Sequence, residues 1–259
     1  MPTKIFKDIS FIFMEKWRLL LHPANDAFTN MAIDEALLIS GKPTIRLYKW
    51  KPSAISIGYF QGIEEEVNLK ECKEMGVDVV RRISGGGAVF HDEHGEITYS
   101  LVLPQKMLPK NILKSCDKIC SCLAKGLHYL GLNAKFSPLN DVVVNQKKIS
   151  GSAQTRRYGN VLQHGTLLID VDVKKMFSLL RVSKKKIEDK NIEKASKRVT
   201  CLRNEIGEIK EGEIINALKK GFENGFGVEL VEEELREEEM ERAKELREKY
   251  ASREWNFKR

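Results

Sequence analysis

A chain of 259 residues with 42% hydrophobic side chains can bury one sizeable core or two small ones, which excludes an intrinsically disordered chain. Lysine and arginine exceed aspartate and glutamate by 44 to 37, and the formal charge of +7 suits an anionic ligand, a nucleic acid or an acidic protein. Five cysteines follow no secreted disulfide pattern and point to a reducing cytosol; no apolar run is long enough to span a membrane.

Residues 1–15 hold a short apolar run without a cleavage site and read as a tail or edge segment ahead of one folded unit, 16–259. Residues 17–21 predict a buried strand, after which Asn25 or Asp26 caps a helix that runs to Ser40 and stops at Gly41. The β-rich runs 44–50 and 54–59, parted by Lys51-Pro52-Ser53, predict an antiparallel pair. A charged helix over 64–75 ends at Gly76. The strand over 77–82 is interrupted by Ser84-Gly85-Gly86-Gly87 and resumes at 88–90. Residues 96–103 alternate as a partner strand, 111–130 carry apolar residues at helical spacing, and strand-like runs follow at 141–145, 148–155 and 161–170. From 170 to 259 the character is helical, with segments at 173–180, 211–226 and 232–249. The last has a thin stripe of Leu235, Ala243 and Leu246 below a solvated charged face. This order predicts an α+β fold on a mixed, mostly antiparallel sheet flanked by helices.

Three consecutive glycines cannot strengthen a strand, so the segment from Arg81 to Asp92 must need bare backbone. Either a tight bulge or a ligand lying on the main chain meets that need; in the second case the N–H groups converge on an anion beside Arg81 and Arg82. The segment is neither a P-loop nor a dinucleotide fingerprint. A second segment runs from Asn140-Asp141 through Lys148-Ile149-Ser150-Gly151-Ser152-Ala153 to His164-Gly165-Thr166. There a strand lysine either faces solvent or projects a cation toward small residues, and Asn140-Asp141 is either a turn or a pair of oxygen ligands for Mg²⁺.

Taken together, Arg-Arg-x-Ser-Gly-Gly-Gly-Ala-Val-Phe-His-Asp, Asn-Asp-Val-Val-Val, Lys-Ile-Ser-Gly-Ser-Ala and His-Gly-Thr-Leu-Leu resemble the lipoate–protein ligase family, in order and spacing, from Trp17 to Phe257. The resemblance implies the catalytic-domain fold shared with biotin–protein ligases, with the family's accessory domain absent and supplied by a separate accessory chain. It implies ATP-dependent formation of lipoyl-adenylate from lipoate, with Mg²⁺, and transfer to a lysine of a lipoyl domain. The acceptors it implies are 2-oxoacid dehydrogenase E2 subunits and the glycine-cleavage H protein, in the cytoplasm. Lys148 would be the catalytic cation, touching the acyl carbonyl and the α-phosphate. Arg82, Ser84, Gly85, Gly86, Gly87, Ala88, Val89, Phe90, His91, Asn140, Gly151, Ser152, Ala153 and His164 would bind substrate, and Asp141 would hold the metal. This chain has Leu139 where the family often has Arg.

Two rival readings differ in chemistry. An octanoyl or lipoyl transferase of the same superfamily uses a cysteine thioester and no ATP, and needs a thiolate facing the acyl carbonyl. The stretch Ala134-Lys135-Phe136-Ser137-Pro138, where such a cysteine would lie, has none, and Cys116, Cys120 and Cys122 share one predicted helix. A non-catalytic lipoyl-adenylate or RNA-binding module is the other rival. Retention of Lys148 speaks against it, and the sequence shows only scattered aromatics among its basic residues. His22, His94 and His128 read as surface residues in no metal-ligand spacing.

Overall fold

The computed structural model describes residues 14–181 and 197–258, so nearly all of the expected N-terminal tail lies outside the described residues. An eight-stranded sheet has the order β11-β1-β2-β6-β10-β9-β8-β7. Its strands are β1 (Glu15–Leu21), β2 (Thr44–Tyr48), β6 (Glu96–Pro104), β7 (Ala134–Ser137), β8 (Asp141–Val144), β9 (Lys147–Arg157), β10 (Asn160–Leu168) and β11 (Val228–Glu232). β1 runs parallel to β2 and β11, and every other neighbouring pair is antiparallel, giving the expected mixed, mostly antiparallel α+β sheet.

Strand alternation sorts the core into two layers. Leu19, Ile45, Leu47, Leu101, Leu103 and Val161 face one side, where helices α4 (Ile112–His128) and α7 (Glu211–Phe226) pack. Leu20, Tyr48, Val102 and Leu162 face the other, toward α1 (Ala27–Ser40) and α8 (Glu237–Ala251). Leu101 is fully buried mid-strand, and burial of such a side chain contributes about 1.5–3 kcal/mol. Aspartate in its place would strand a charge between layers. The first helix starts and stops as its sequence dictates: Asp26 accepts from Thr29 N at 2.8 Å, and Gly41 closes the end with φ +67°.

The antiparallel pairing expected for 44–50 and 54–59 does not form. β2 joins the large sheet, while β3 (Ala54–Ile57) is the centre of a second sheet, between β4 (Asp78–Arg81), parallel to it, and β5 (Val89–His91), antiparallel. Both halves of the glycine-interrupted strand therefore pair with β3 and not with each other, which makes the glycine segment a crossing over the end of β3. The helix expected over 64–75 is two short helices, α2 (Ile63–Glu66) and α3 (Leu69–Glu74), because Val67 turns inward and is fully buried. Strand β7 and strand β11 were not anticipated. The charged stretch after 228 hides β11 because only Val228 and Leu230 are buried, and a short edge strand needs no more. Helices α5 (Val173–Leu179), α6 (Leu202–Ile206) and α9 (Arg253–Asn256) complete the described chain.

Candidate active site

A cavity of about 320 Å³ lies where the two sheets meet. Its walls include Met31 of α1, Tyr48 and Trp50 at the end of β2, Ser56 of β3, Glu96 and Thr98 of β6, Gly151 and Ala153 of β9, and His164 and Thr166 of β10. Of the residues singled out in the sequence, Arg82, Gly86, Gly87, Ala88, Val89, Phe90, His91, Asn140, Lys148, Gly151, Ser152, Ala153 and His164 come together on this wall. Ser84 and Gly85 stand behind it. Asp141 meets it through the ammonium of Lys148.

Arg82 shows how the glycine segment is held. Its guanidinium is buried and spends its N–H donors on protein oxygens: Ser84 Oγ (3.1 Å), Ser56 O (2.8 Å), Ser56 Oγ (3.2 Å), Gly85 O (2.7 Å) and Gly87 O (2.7 Å). Burial pushes it down to about 10. Gly86 adopts φ +94°, which lets the chain turn around that guanidinium, and a Cβ there would meet Arg82 Nη2 at 3.0 Å. The crossing also requires Gly58, where a Cβ would lie 1.9 Å from Gly86 O.

Two carboxylate–histidine–serine chains converge on Arg82. In one, Asp34 Oδ2 meets His164 Nδ1 (3.0 Å), and His164 Nε2 meets Ser84 Oγ (2.6 Å). In the other, Glu96 Oε1 meets His91 Nδ1 (2.8 Å), and His91 Nε2 meets Ser56 Oγ (2.8 Å). Asp34 also accepts from Arg46 Nη1 (2.9 Å), Tyr48 OH (3.1 Å) and Ser100 Oγ (2.9 Å). Partnered so fully, it stays charged, its pKa below the ordinary carboxylate value because these hydrogen bonds outweigh the desolvation that opposes them. A charged Asp34 calls for a proton on His164 Nδ1, while Ser84 Oγ meets Nε2 and accepts from Arg82 Nε. His91 stacks on Trp50 with ring centres 4.0 Å apart. The frame thus leaves Arg82 no N–H for an anion, contrary to the sequence reading. Arg81 points away from it and ties Gly58 O, Tyr59 O and Gln61 O to Trp255 O and Asn256 O.

Asp34, Glu96 and Gly58 escaped the sequence reading. A signal existed for Asp34: an acidic residue inside Met31-Ala32-Ile33-Asp34-Glu35-Ala36-Leu37-Leu38, on a helix otherwise suited to burial. His22, read as a surface residue, is half-buried; it accepts from Arg46 Nε at 2.8 Å, and burial, then that guanidinium, pushes it down to about 4.

Lys148 is placed by a register fault. β8 and β9 pair Val142 with Ser150 and Val143 with Lys148, so Ile149 is an extra residue, a β-bulge. In a regular strand Lys148 and Gly151 would face opposite sides; the bulge puts them on one side. The ammonium lies over Gly151, where a Cβ would come within 2.5 Å of Nζ, and meets Asp141 Oδ1 at 2.7 Å. Backbone bonds from Lys148 N to Arg198 O and from Thr200 N to Lys148 O, both 2.8 Å, fix its strand position. Asn140 Nδ2 donates to Ser152 O, and Ser152 Oγ donates to Asn140 O at 3.1 Å, which pins the turn that carries Asp141. Unlike Arg82, Lys148 is about two-fifths exposed.

No thiol reaches this wall. All five cysteines are buried and none lines the cavity. Cys120 has its Sγ 3.6 Å from the Oγ of Ser152, a cavity residue, and burial pushes its thiol up to about 11. Among the described residues no three His, Cys, Asp or Glu side chains group as metal ligands, and the Asp141 carboxylate expected to hold Mg²⁺ is engaged by Lys148. No described helix is long and apolar enough to cross a membrane.

A family model described as the lipoyl protein ligase A/B catalytic domain matches residues 26–223. Among curated proteins the chain is 36% identical to the octanoyltransferase LipM of Clostridioides difficile, over 95% of this chain and all of that one. It is 34% identical to the octanoyltransferase LipM of Staphylococcus aureus, over 95% and 99%. Among solved structures, a bi-partite lipoate protein ligase of Thermoplasma acidophilum, studied with its E2 lipoyl domain, superimposes with a TM-score of 0.87 at 33% identity, covering 94% of this chain and 96% of that one. A lipoate-protein ligase A bound with ATP gives 0.82 at 30%, covering 93% and 98%.

These findings bear out the resemblance and the fold. The near full-length similarity to octanoyltransferases overturns the expected ATP-dependent, lipoyl-adenylate-forming ligase, together with ATP and Mg²⁺ as its cofactors. The physical reason lies in the motifs. A bare glycine wall and a half-exposed lysine at its edge would suit any activated acyl group, so they do not encode whether the donor is an anhydride or a thioester.

Proposed function

Because the chain belongs to the lipoyl protein ligase A/B catalytic-domain family, we propose that it is an acyltransferase carrying an octanoyl group from a thioester to the ε-amine of a lysine on a lipoyl domain. The observation that carries this reading is the similarity to octanoyltransferases over 95% of the chain. The site supports it: a cavity walled by Met31, Tyr48, Trp50 and Ala153 suits an unbranched acyl tail, and a cation stands at its edge.

In this reading Lys148 is the catalytic cation. The carbonyl oxygen of the thioester lies against its ammonium over Gly151, and the tail runs along β10 past Thr166 and His164 toward Met31. Two residues of strand cover about 7 Å, so this path accommodates a medium-length chain. The neutral amine of the acceptor lysine attacks the carbonyl carbon, and the negative charge gathering on oxygen is met by Lys148. Collapse of the adduct breaks the C–S bond and leaves an amide, while the proton lost by nitrogen ends on the departing thiol. Asp141 keeps the ammonium over Gly151, and the Arg82 frame keeps the opposite wall rigid. With every thiol buried outside the cavity, the acyl group passes directly from thioester to amine without an acyl-cysteine. Lipoyl domains of 2-oxoacid dehydrogenase E2 subunits and the glycine-cleavage H protein are the proposed acceptors. An accessory chain would serve adenylation, and transfer in this form needs none.

The test is hydroxamate formation from an octanoyl thioester and hydroxylamine, with and without ATP. The expected result is octanoyl hydroxamate at a rate indifferent to nucleotide. Hydroxamate made only from octanoate and ATP would refute the reading.

A further inference from the structure

A second groove adjoins the cavity. Gly151 and Ala153 line the cavity from one face of β9; strand alternation puts Thr155 and Arg157 on the same face, Arg157 about 13 Å beyond Ala153. Both line the groove, together with Tyr59, Phe60, Gly85 and Ile112. Gly85 belongs to the groove and Gly86 to the cavity, so the glycine segment is the crest between them.

The groove is cationic around exposed apolar side chains. The Arg157 guanidinium lies 4.8 Å from the Tyr59 ring centre, and the Lys258 ammonium lies 3.8 Å from Tyr59 and 3.5 Å from Trp255. Hydrogen bonds from Arg157, then Lys258, hold the Tyr59 phenol below its ordinary pKa, the sign of a positive local field. Arg156 is fixed by Pro109 O (2.8 Å) and Lys110 O (3.1 Å), while Lys110 and Lys114 flank Ile112 in the chain. Among the described residues, none of Lys110, Lys114, Arg156, Arg157 and Lys258 has a carboxylate within 4.0 Å, whereas Lys42, Lys49 and Lys175 each pair with one. Phe60 is 70% exposed and Ile112 59%.

We infer that this groove docks the acceptor lipoyl domain through an acidic face of that domain. The inference rests on the acyl-transfer reading. Unpaired cations call for carboxylates, and exposed Phe60 and Ile112 among them call for a protein surface, since a small anion gains nothing from apolar area. The patch meets the cavity across the glycine crest, and a domain seated on it reaches the Gly151 end of the cavity by extending over six residues of β9, about 20 Å.

The experiment uses octanoyl-pantetheine as a small donor and compares two acceptors, a lipoyl domain and hydroxylamine. In R157E/K258E, and separately in K110E/K114E, the KM for the lipoyl domain should rise about tenfold, with the hydroxylamine rate within about twofold of wild type. Raising ionic strength should raise the wild-type KM for the domain and flatten the difference between wild type and variants. An unchanged KM for the domain in both variants overturns the inference, as does an equal fall with both acceptors. Failure of the wild type with either acceptor counts against the acyl-transfer reading itself.

Discussion

The two cations that the sequence placed beside an anion, Arg82 and Lys148, occupy opposite physical situations. Arg82 is buried with its donors committed to the glycine segment and two serines, whereas Lys148 has one ion pair and about two-fifths of its side chain exposed. A buried cation whose donors are all spent sets shape. A cation with an exposed head and one acidic partner can move onto a substrate oxygen. The difference gives Arg82 the frame and fits the proposed role of Lys148 as the cation that meets the acyl oxygen.

The largest effect expected from breaking this comparison is at Lys148. K148M should lower octanoyl transfer about 10²- to 10³-fold with little change in thermal midpoint, measured by steady-state transfer and calorimetry. R82M should do the reverse first: it strands the carbonyl oxygens of Ser56, Gly85 and Gly87 and should cost about 3–5 kcal/mol in denaturant unfolding. Equal stability losses in both variants would dissolve the distinction.

How far the sequence carried this distinction depends on the residue. The glycine triplet and the lysine before Ile149-Ser150-Gly151 were legible, since three glycines in a strand and a cation among small residues each need an explanation. The bulge at Ile149 was not: strict alternation puts Lys148 and Gly151 on opposite faces, and only pairing with β8 shows the extra residue. Asp34 stood out as an acidic residue in an apolar helix, but its partners were hidden, because helical spacing marks where a side chain points, not which strand meets it. The pairing of β3 was missed because hairpin-length spacing favours a local partner, while the glycine crossing brings in β5 from farther along the chain. The identity of the donor was beyond the motifs altogether.

Smaller effects sharpen the account. G151A would drive a methyl into the Lys148 ammonium and should lower transfer about tenfold at unchanged stability, because the cation, not the fold, is displaced. M31W narrows the cavity at the proposed end of the tail. It should lower octanoyl transfer about tenfold while sparing butyryl transfer, read from a series of thioester chain lengths. C120A should change the transfer rate less than about twofold, since its thiol is buried behind Ser152 and pushed up to about 11.

Direct passage of the acyl group from thioester to amine is tested most simply by denaturing mass spectrometry of the protein mixed with an octanoyl thioester and a lipoyl domain, without nucleotide. The lipoyl domain should gain one octanoyl group while the enzyme stays at its unmodified mass throughout turnover. An octanoyl adduct on the enzyme that forms and decays with the reaction, or a domain modified only after ATP is added, would contradict it.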